Sequence, residues 1–184
     1  MEQEIRFCEA GARRVAYTVL GQGPPLVFGG RWVSDLEVEW QEPGPRAFFE
    51  GLAQTRTVVR YDRLGCGLSD RDVVPTPDTE LHTLAAVLDA LGEEPVDLFA
   101  CSCAVVAVSR RAAARPERGR KLVFFGGWVS RSDVPEATGR SLVDFARTNW
   151  PLAAQMLAGL FAPEASGLEI AALSRHKRRA ASAE

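Results

Sequence analysis

"VDLFACSCAVVAVSRRAAARPERGRKLVFFGG", residues 96–127, is the stretch of this sequence that decides the fold. It opens with one short apolar run and closes on another, and the segment between them is rich in alanine and arginine and stops at Pro116. Short apolar runs bounded by turn residues are typical of buried strands, whereas a proline ends a helix. The stretch therefore predicts a strand at 95–100, a helix at 103–115 and a strand at 121–127, which together form one β-α-β unit.

The residues before this unit repeat the alternation of strand and helix. Two β-forming segments on either side of "EAGA" predict an antiparallel hairpin, at 4–8 and 13–21. Thr76 at a cap position and Pro77 at the first helical position mark the start of helix 77–91. Other predicted elements are strands at 26–30 and 55–62, a helix at 45–54, and a long loop that carries Trp32 and Trp40. The fold class is therefore α/β, with a doubly wound, mainly parallel sheet that begins with an antiparallel hairpin.

The pattern changes after residue 130. Residues 138–176 carry only helical periodicities, so we divide the chain into an α/β core at 1–130 and a helical, cap-like segment at 131–184. A pair of surface helices that closes the core is the alternative to a cap. The segment ends near "RHKRR", residues 175–179, which predicts a solvated basic tail.

Composition and charge exclude several classes of protein. The 184 residues carry 22 basic and 24 acidic side chains, which gives a net charge of -2 and no broad field for nucleic acid or an anionic membrane. The start "MEQEIRF" lacks the order of a signal peptide, and no apolar run approaches the ~20 residues of a membrane span. We expect a cytoplasmic protein. The four cysteines lack the spacing of a disulfide framework or a metal site, and we expect no metal and no cofactor.

Ser102 lies where the predicted strand 95–100 gives way to helix 103–115. In an open α/β sheet, reacting groups gather at the carboxyl ends of the strands. A sharp turn here would lift the serine oxygen above the sheet, beside the free N–H groups at the start of the helix. Such a turn needs small residues two positions before and after the serine, and Ala100 and Ala104 are small. The alternative is an ordinary serine in a buried corner.

Four stretches of the chain resemble the α/β-hydrolase family, in particular a bacterial serine hydrolase branch that is also found fused to adenylate-cyclase or helix-turn-helix regulatory domains. They are "VAYTVLGQGPPLVF" (15–28), "GLAQTRTVVRYDRLGCGLSDR" (51–71), "LAAVLDALGEEPVDLFACSCA" (84–104) and "AARPERGRKLVFFGG" (113–127). The resemblance implies that Ser102 is a nucleophile. It also implies an oxyanion hole made by the backbone N–H of Cys103 and that of Arg31 or Trp32. A serine at this position favours ester or thioester hydrolysis over the family branches that use aspartate there.

The chain departs from the family pattern after the cap. Family members continue with strand–helix units that supply the acid and the histidine of a catalytic triad, so we expect a core truncated after the cap region. The sequence holds two histidines, His82 on the flank of helix 77–91 and His176 in the basic segment. Asp133 and His176 are the candidate acid and base. The segment from Asp62 to Gly67, which includes Arg63 and Gly65, is interpreted as a turn former.

Three functions are compatible with these patterns. The first is a serine hydrolase, complete or degenerate, that acts on a small-molecule ester. The second is a non-catalytic domain that binds a hydrophobic ligand or regulates a partner. The third, a dinucleotide-binding oxidoreductase, would need "GQG" (21–23) or "GCGLSD" (65–70) to open the first helix of a β-α-β unit, and neither does.

The predicted strand 121–127 also leads to a prediction about how copies of the chain assemble. In the family's strand order the missing units would cover it, so here it becomes an apolar edge. We therefore expect a homodimer joined at this strand, or a helical tail that covers it.

Overall fold

The computed structural model describes residues 1–128 and 136–181. The chain divides into two compact units, Met1–Val129 and Ser130–Glu184, which we call the core unit and the helical unit. The core unit contains six strands: β1 (Glu4–Ala10), β2 (Arg13–Leu20), β3 (Pro25–Phe28), β4 (Thr57–Tyr61), β5 (Val96–Cys101) and β6 (Gly119–Phe125). It also contains four helices: α1 (Leu36–Gln41), α2 (Pro43–Leu52), α3 (Pro77–Ala90) and α4 (Ala104–Ala114).

The six strands form one sheet in the order β1-β2-β4-β3-β5-β6. β1 and β2 form an antiparallel hairpin, and β2 pairs antiparallel with β4. β3 lies parallel between β4 and β5, and β5 lies parallel to β6. The predicted sheet, mainly parallel with a leading antiparallel hairpin, is confirmed.

Helices cover both faces of this sheet. Val59 is fully buried in the cluster that joins the sheet to α3 and α4. Its neighbour Val58 points to the opposite face and packs with Phe49 of α2. Because side chains alternate along a strand, two adjacent valines serve two separate hydrophobic layers. This arrangement leaves the carboxyl ends of β4, β3 and β5 side by side at one edge of the sheet.

One helix lies where a long loop was predicted. α1 begins after Asp35, whose side-chain oxygen accepts hydrogen bonds from the backbone N–H of Glu37 (3.1 Å) and Val38 (3.0 Å). Leu36 and Glu39 are buried on the inner side of this helix. The prediction of a continuous loop was wrong here because a six-residue helix is too short to show a clear periodicity, and its cap supplies the local signal.

The turn after β4 forms as predicted. Gly65 and Gly67 have positive φ values of 90° and 54°. Asp62 is fully buried, and its Oδ2 accepts hydrogen bonds from the backbone N–H of Leu68 (3.0 Å) and Leu36 (3.2 Å). The turn is therefore built around a buried carboxylate that joins it to the start of α1.

The helical unit consists of α5 (Glu136–Thr148), α6 (Trp150–Phe161) and α7 (Gly167–Ala180). Ser166 and Glu169 form a capping box at the start of α7. The basic residues 175–179 form the last turns of this helix instead of the predicted tail. Lys177 lies over the ring of Phe161, 5.2 Å from its centroid. Among the residues that the structure describes, no helix has both the length and the apolar character needed to cross a membrane.

Candidate functional site

Ser102 occupies a sharp turn between the end of β5 and the start of α4. Its φ is 55°, and among residues 1–128 and 136–181 no other non-glycine residue has a positive φ. Its backbone N–H donates a hydrogen bond to the carbonyl of Phe125 at the end of β6 (3.2 Å), and its carbonyl accepts from Val105 (3.3 Å). The side chain is partly exposed. Ser102 therefore stands on a strained turn held from the neighbouring strand, and it does not lie in a sealed corner of the core.

Two glycines on neighbouring segments give this turn its room. A Cβ atom added at Gly29 would lie 3.0 Å from Cβ of Ala104, and one added at Gly127 would lie 2.9 Å from the Ser102 carbonyl and overlap Val105. A glycine at position 104 would leave space inside the turn itself. Here the space comes from the segments on either side, which explains how alanine and valine fit directly after the elbow.

The loop after β3 lies beside this turn. β3 pairs in parallel with β5, with Phe28 opposite Phe99, and the N–H of Gly29 donates to the Phe99 carbonyl (2.8 Å). The structure therefore brings the loop that carries Arg31 and Trp32 to the same sheet edge as Ser102 and Cys103. These four residues come from two loops that follow adjacent strands.

Arg31 and Trp32 are held from different sides. The Arg31 guanidinium pairs with the buried carboxylate of Glu39 in α1. That carboxylate also lies 3.7 Å from Arg60, and burial together with repulsion from Arg31 lowers the pKa of Arg60 to about 10. The Trp32 carbonyl accepts a hydrogen bond from Nε of Arg63 (2.7 Å), while 41% of the Trp32 residue is exposed. The loop is thus anchored through the Arg31 side chain and the Trp32 carbonyl, and the Trp32 side chain lies at the surface.

The two cysteines beside Ser102 raise the question of which group would act as the nucleophile. Burial raises the pKa of the Cys103 thiol to about 11, although Arg63 opposes the shift. The thiolate is the reactive form of cysteine, and at neutral pH this thiol stays protonated. All four cysteines are free thiols in the structure. Of Ser102 and Cys103, the serine is therefore the better candidate.

Comparison with known proteins identifies the fold. No family model matches the chain. The chain is 30% identical over 124 residues to RutD of Azorhizobium caulinodans, whose name assigns it as a carbamate hydrolase; the alignment covers 67% of this chain and 44% of RutD. It is 29% identical over 134 residues to the pyrrolizixenacetamide deacetylase of Xenorhabdus hominickii, with 71% of this chain and 47% of that protein covered.

Solved structures match over nearly the whole chain. A bromoperoxidase from Bacillus anthracis superimposes with a TM-score of 0.81 at 20% identity, over 97% of this chain and 70% of its own. The 2-hydroxy-6-oxo-6-phenylhexa-2,4-dienoate hydrolase of Rhodococcus sp. strain RHA1 gives a TM-score of 0.76 at 17% identity, over 97% and 66%. The chain has the α/β-hydrolase fold. This α/β-hydrolase-fold chain spans less than half the length of the two curated relatives.

The predicted acid and base of this α/β-hydrolase-fold chain belong to the second part of the sequence, after the core strands. His176 is on α7 of the helical unit, where it is partly buried. Asp133 falls within residues 129–135, which lie outside the described residues. His82 is exposed on α3. Within the core unit, the structure brings the elbow and the loop after β3 to one edge of the sheet.

A further cluster of residues holds the loop after β3 in this α/β-hydrolase-fold chain. The sequence did not indicate that these residues belong to a site. Arg63 is 7% exposed and pairs with Glu80 in the first turn of α3. Cys66 Sγ lies 3.4 Å from the Trp32 carbonyl, and Gly30 packs on Tyr61 so closely that an added Cβ would come within 2.8 Å of its ring. The one available signal was the pair of glycines after β3, which indicated a close approach of the backbone to another segment.

Proposed function

We propose that this chain is a serine hydrolase that cleaves a carboxylic ester or thioester, with Ser102 as the nucleophile. The observation that supports it best is the left-handed backbone of Ser102 at the junction of β5 and α4. A non-glycine residue keeps this conformation only where the surrounding structure imposes it, and such residues cluster at active sites. In the α/β-hydrolase fold, a strand–turn–helix of this kind presents the nucleophile.

The proposed chemistry is acyl transfer. The serine oxygen attacks the substrate carbonyl, and the carbonyl oxygen takes up negative charge in a tetrahedral intermediate. In this proposal the backbone N–H of Cys103, with that of Arg31 or Trp32, stabilises this charge. Such donors matter, because removing one typically slows an enzyme about 10²- to 10³-fold. The names of both curated relatives, a carbamate hydrolase and a deacetylase, describe cleavage next to a carbonyl group.

The proposal includes a general base, because a serine hydroxyl at neutral pH is a weak nucleophile. His176 is the candidate base, and Asp133 is the candidate acid that would orient it. The sequence has two histidines, and the other, His82, is exposed on α3.

Labelling with a fluorophosphonate tests this proposal, since the reagent reacts with activated serine hydroxyl groups. We expect the full chain to be labelled and the Ser102→Ala variant to lose all labelling. The Cys103→Ala variant is the matched control and should still be labelled, because its backbone N–H is retained. A His176→Ala variant should lose labelling about 10²-fold or more if His176 is the base.

One observation favours a second function. The core unit holds one of the two histidines of the sequence, His82, and this residue is exposed on α3. An elbow without an imidazole beside it would suit a domain that binds a small hydrophobic ligand without cleaving it. Absence of labelling on a folded wild-type chain, with native circular dichroism, would favour this binding domain over the hydrolase.

A further inference from the structure

Three segments meet at the carboxyl edge of the sheet, because β4, β3 and β5 are consecutive neighbours. The turn after β4 carries Arg63 and Cys66, the loop after β3 carries Trp32, and the turn after β5 carries Ser102. The middle segment is therefore confined between the other two. Its backbone position depends on what the turn after β4 holds in place.

Two donors from the turn after β4 converge on one carbonyl of the middle loop. Arg63 Nε donates to the Trp32 carbonyl at 2.7 Å, and Cys66 Sγ donates to the same oxygen at 3.4 Å. Burial raises the pKa of the Cys66 thiol, so it keeps the proton that it donates. The Trp32 carbonyl shares its peptide plane with the N–H of Val33, and Trp32 itself carries one candidate oxyanion N–H. These bonds therefore hold in place the segment that carries that N–H group.

The guanidinium of Arg63 is itself held by Glu80. Both side chains are largely buried, with 9% of the Arg63 side chain and 21% of the Glu80 side chain exposed. A buried charge needs a partner, and a planar guanidinium can satisfy two partners in fixed directions. Here one edge binds the carboxylate on α3 and another binds the loop carbonyl.

We infer that Arg63 is a positioning residue for the oxyanion hole. Its guanidinium, oriented by Glu80, holds the loop of residues 29–33 at the distance from Ser102 at which the amide of Arg31 or Trp32 meets the developing charge. The inference rests on the proposed function. It assigns Arg63 no contact with the substrate.

Arg118 provides a matched control for Arg63. It is also a buried arginine of the core unit, 6% exposed, and it pairs with Glu93 (2.7 Å) while donating to the carbonyl of Gly92 (2.5 Å). Both arginines thus bind one carboxylate and hold backbone carbonyls. They differ in the segment that they hold, since Arg118 holds the end of α3.

The experiment measures the inactivation rate constant and the inhibition constant of a fluorophosphonate for the full-length variants Arg63→Lys and Arg118→Lys. Lysine keeps the charge and loses the two-directional fork. We expect Arg63→Lys to lower the inactivation rate constant about 10²-fold with the inhibition constant unchanged, as for loss of an oxyanion donor. Arg118→Lys should leave both constants at the wild-type values.

A second pair of variants keeps the test valid if Arg63→Lys fails to fold. Glu80→Gln retains an oxygen that can accept from Arg63 but removes the charge, so it should slow inactivation less than Glu80→Ala does. Glu80→Ala removes that acceptor and should slow inactivation by at least about tenfold, as expected when a positioning contact is lost.

Hydrogen exchange separates failure of this inference from failure of the proposed function. The amides of residues 29–33 should exchange faster in Arg63→Lys than in Arg118→Lys, whether or not Ser102 reacts. An unlabelled wild-type chain would reject the hydrolase, and the exchange result would then decide the positioning role alone. Equal exchange of this loop in both variants would overturn the inference, and so would equal inactivation rates of the two variants when the wild type is labelled.

Discussion

At Gly67 the backbone has a φ of 54° and lies directly against the carboxylate of Asp62. A Cβ atom added there would stand 2.8 Å from Oδ1 and nearer still to Oδ2. That carboxylate is fully buried and accepts two backbone hydrogen bonds, so it has no room to withdraw. We expect Gly67→Ala to lower the free energy of unfolding by about 2–4 kcal/mol, since left-handed alanine and a disturbed buried acceptor each contribute about 1–2 kcal/mol.

Urea denaturation of the full chain measures this effect, with Gly51→Ala as the control. Gly51 lies within α2 and has no atom within 4 Å of an added Cβ. The same substitution should therefore stabilise the protein by up to about 1 kcal/mol, because alanine is the better helix former. Equal unfolding free energies for the two variants would contradict the role assigned to the Gly67 turn.

At the scale of elements, Asp97 at the start of β5 links this strand to β6 and to the segment just before β4. It accepts from Arg120 of β6 (2.8 Å to Oδ2) and from Arg56 just before β4 (2.6 Å). These arginines, Arg120 first, hold the pKa of the Asp97 carboxyl below its ordinary value. The stabilisation is therefore complete above the ordinary pKa of about 3.9 and is lost as the pH falls through the lower pKa of the folded state.

We expect Asp97→Asn to lower the free energy of unfolding at neutral pH by about 2 kcal/mol, in the range of hydrogen bonds to charged groups. The difference from wild type should shrink as the pH falls below about 4. Denaturation curves from neutral to acid pH measure it. Asp72→Asn serves as the control, because its ion pair with Arg13 is exposed and should contribute no more than about 0.5 kcal/mol at any pH. A difference for Asp97→Asn that stays constant down to acid pH would contradict the linkage.

At the scale of the whole molecule, β6 is the outer strand of the described sheet and exposes its apolar side chains. Leu122, Val123 and Phe124 are each nearly half exposed, and Phe125 is 71% exposed. We propose that a second copy of this chain pairs with this edge. In the antiparallel register that sets Val123 against Val123 of the other copy, Lys121 faces Phe125, so like charges do not meet.

Sedimentation measurements over a wide range of concentrations test this dimer. We expect wild-type dimers, and monomers for Val123→Lys, which would place two ammonium groups beside each other at the centre of the interface. Val74→Lys is the control, because Val74 is 77% exposed outside the sheet and should leave the dimer intact. A wild-type chain that stays monomeric at every concentration would overturn the proposal.

The sequence by itself determined the order of strands and helices and the placement of Ser102 at an elbow. Each of these features depends on residues close together in the chain: apolar runs, Thr76 and Pro77 before α3, and glycines at the turns. Helix α1 was not predicted from the sequence. It is stabilised by the Asp35 cap and by burial of Glu39, and only the cap is a signal that residues close in the chain provide.

Only the tertiary structure decided what surrounds Ser102. Trp32 and Arg63 are 31 positions apart, and Arg63 and Glu80 are 17 apart, so their contacts depend on the strand order β4-β3-β5. In the sequence Arg63 was interpreted as part of a turn, and Glu80 carried no signal beyond an acidic first turn of a helix. Local propensity acts along the chain, whereas the packing of parallel strands brings distant segments to one edge; for that reason the elbow could be predicted, and the contacts that hold the loop beside it could not.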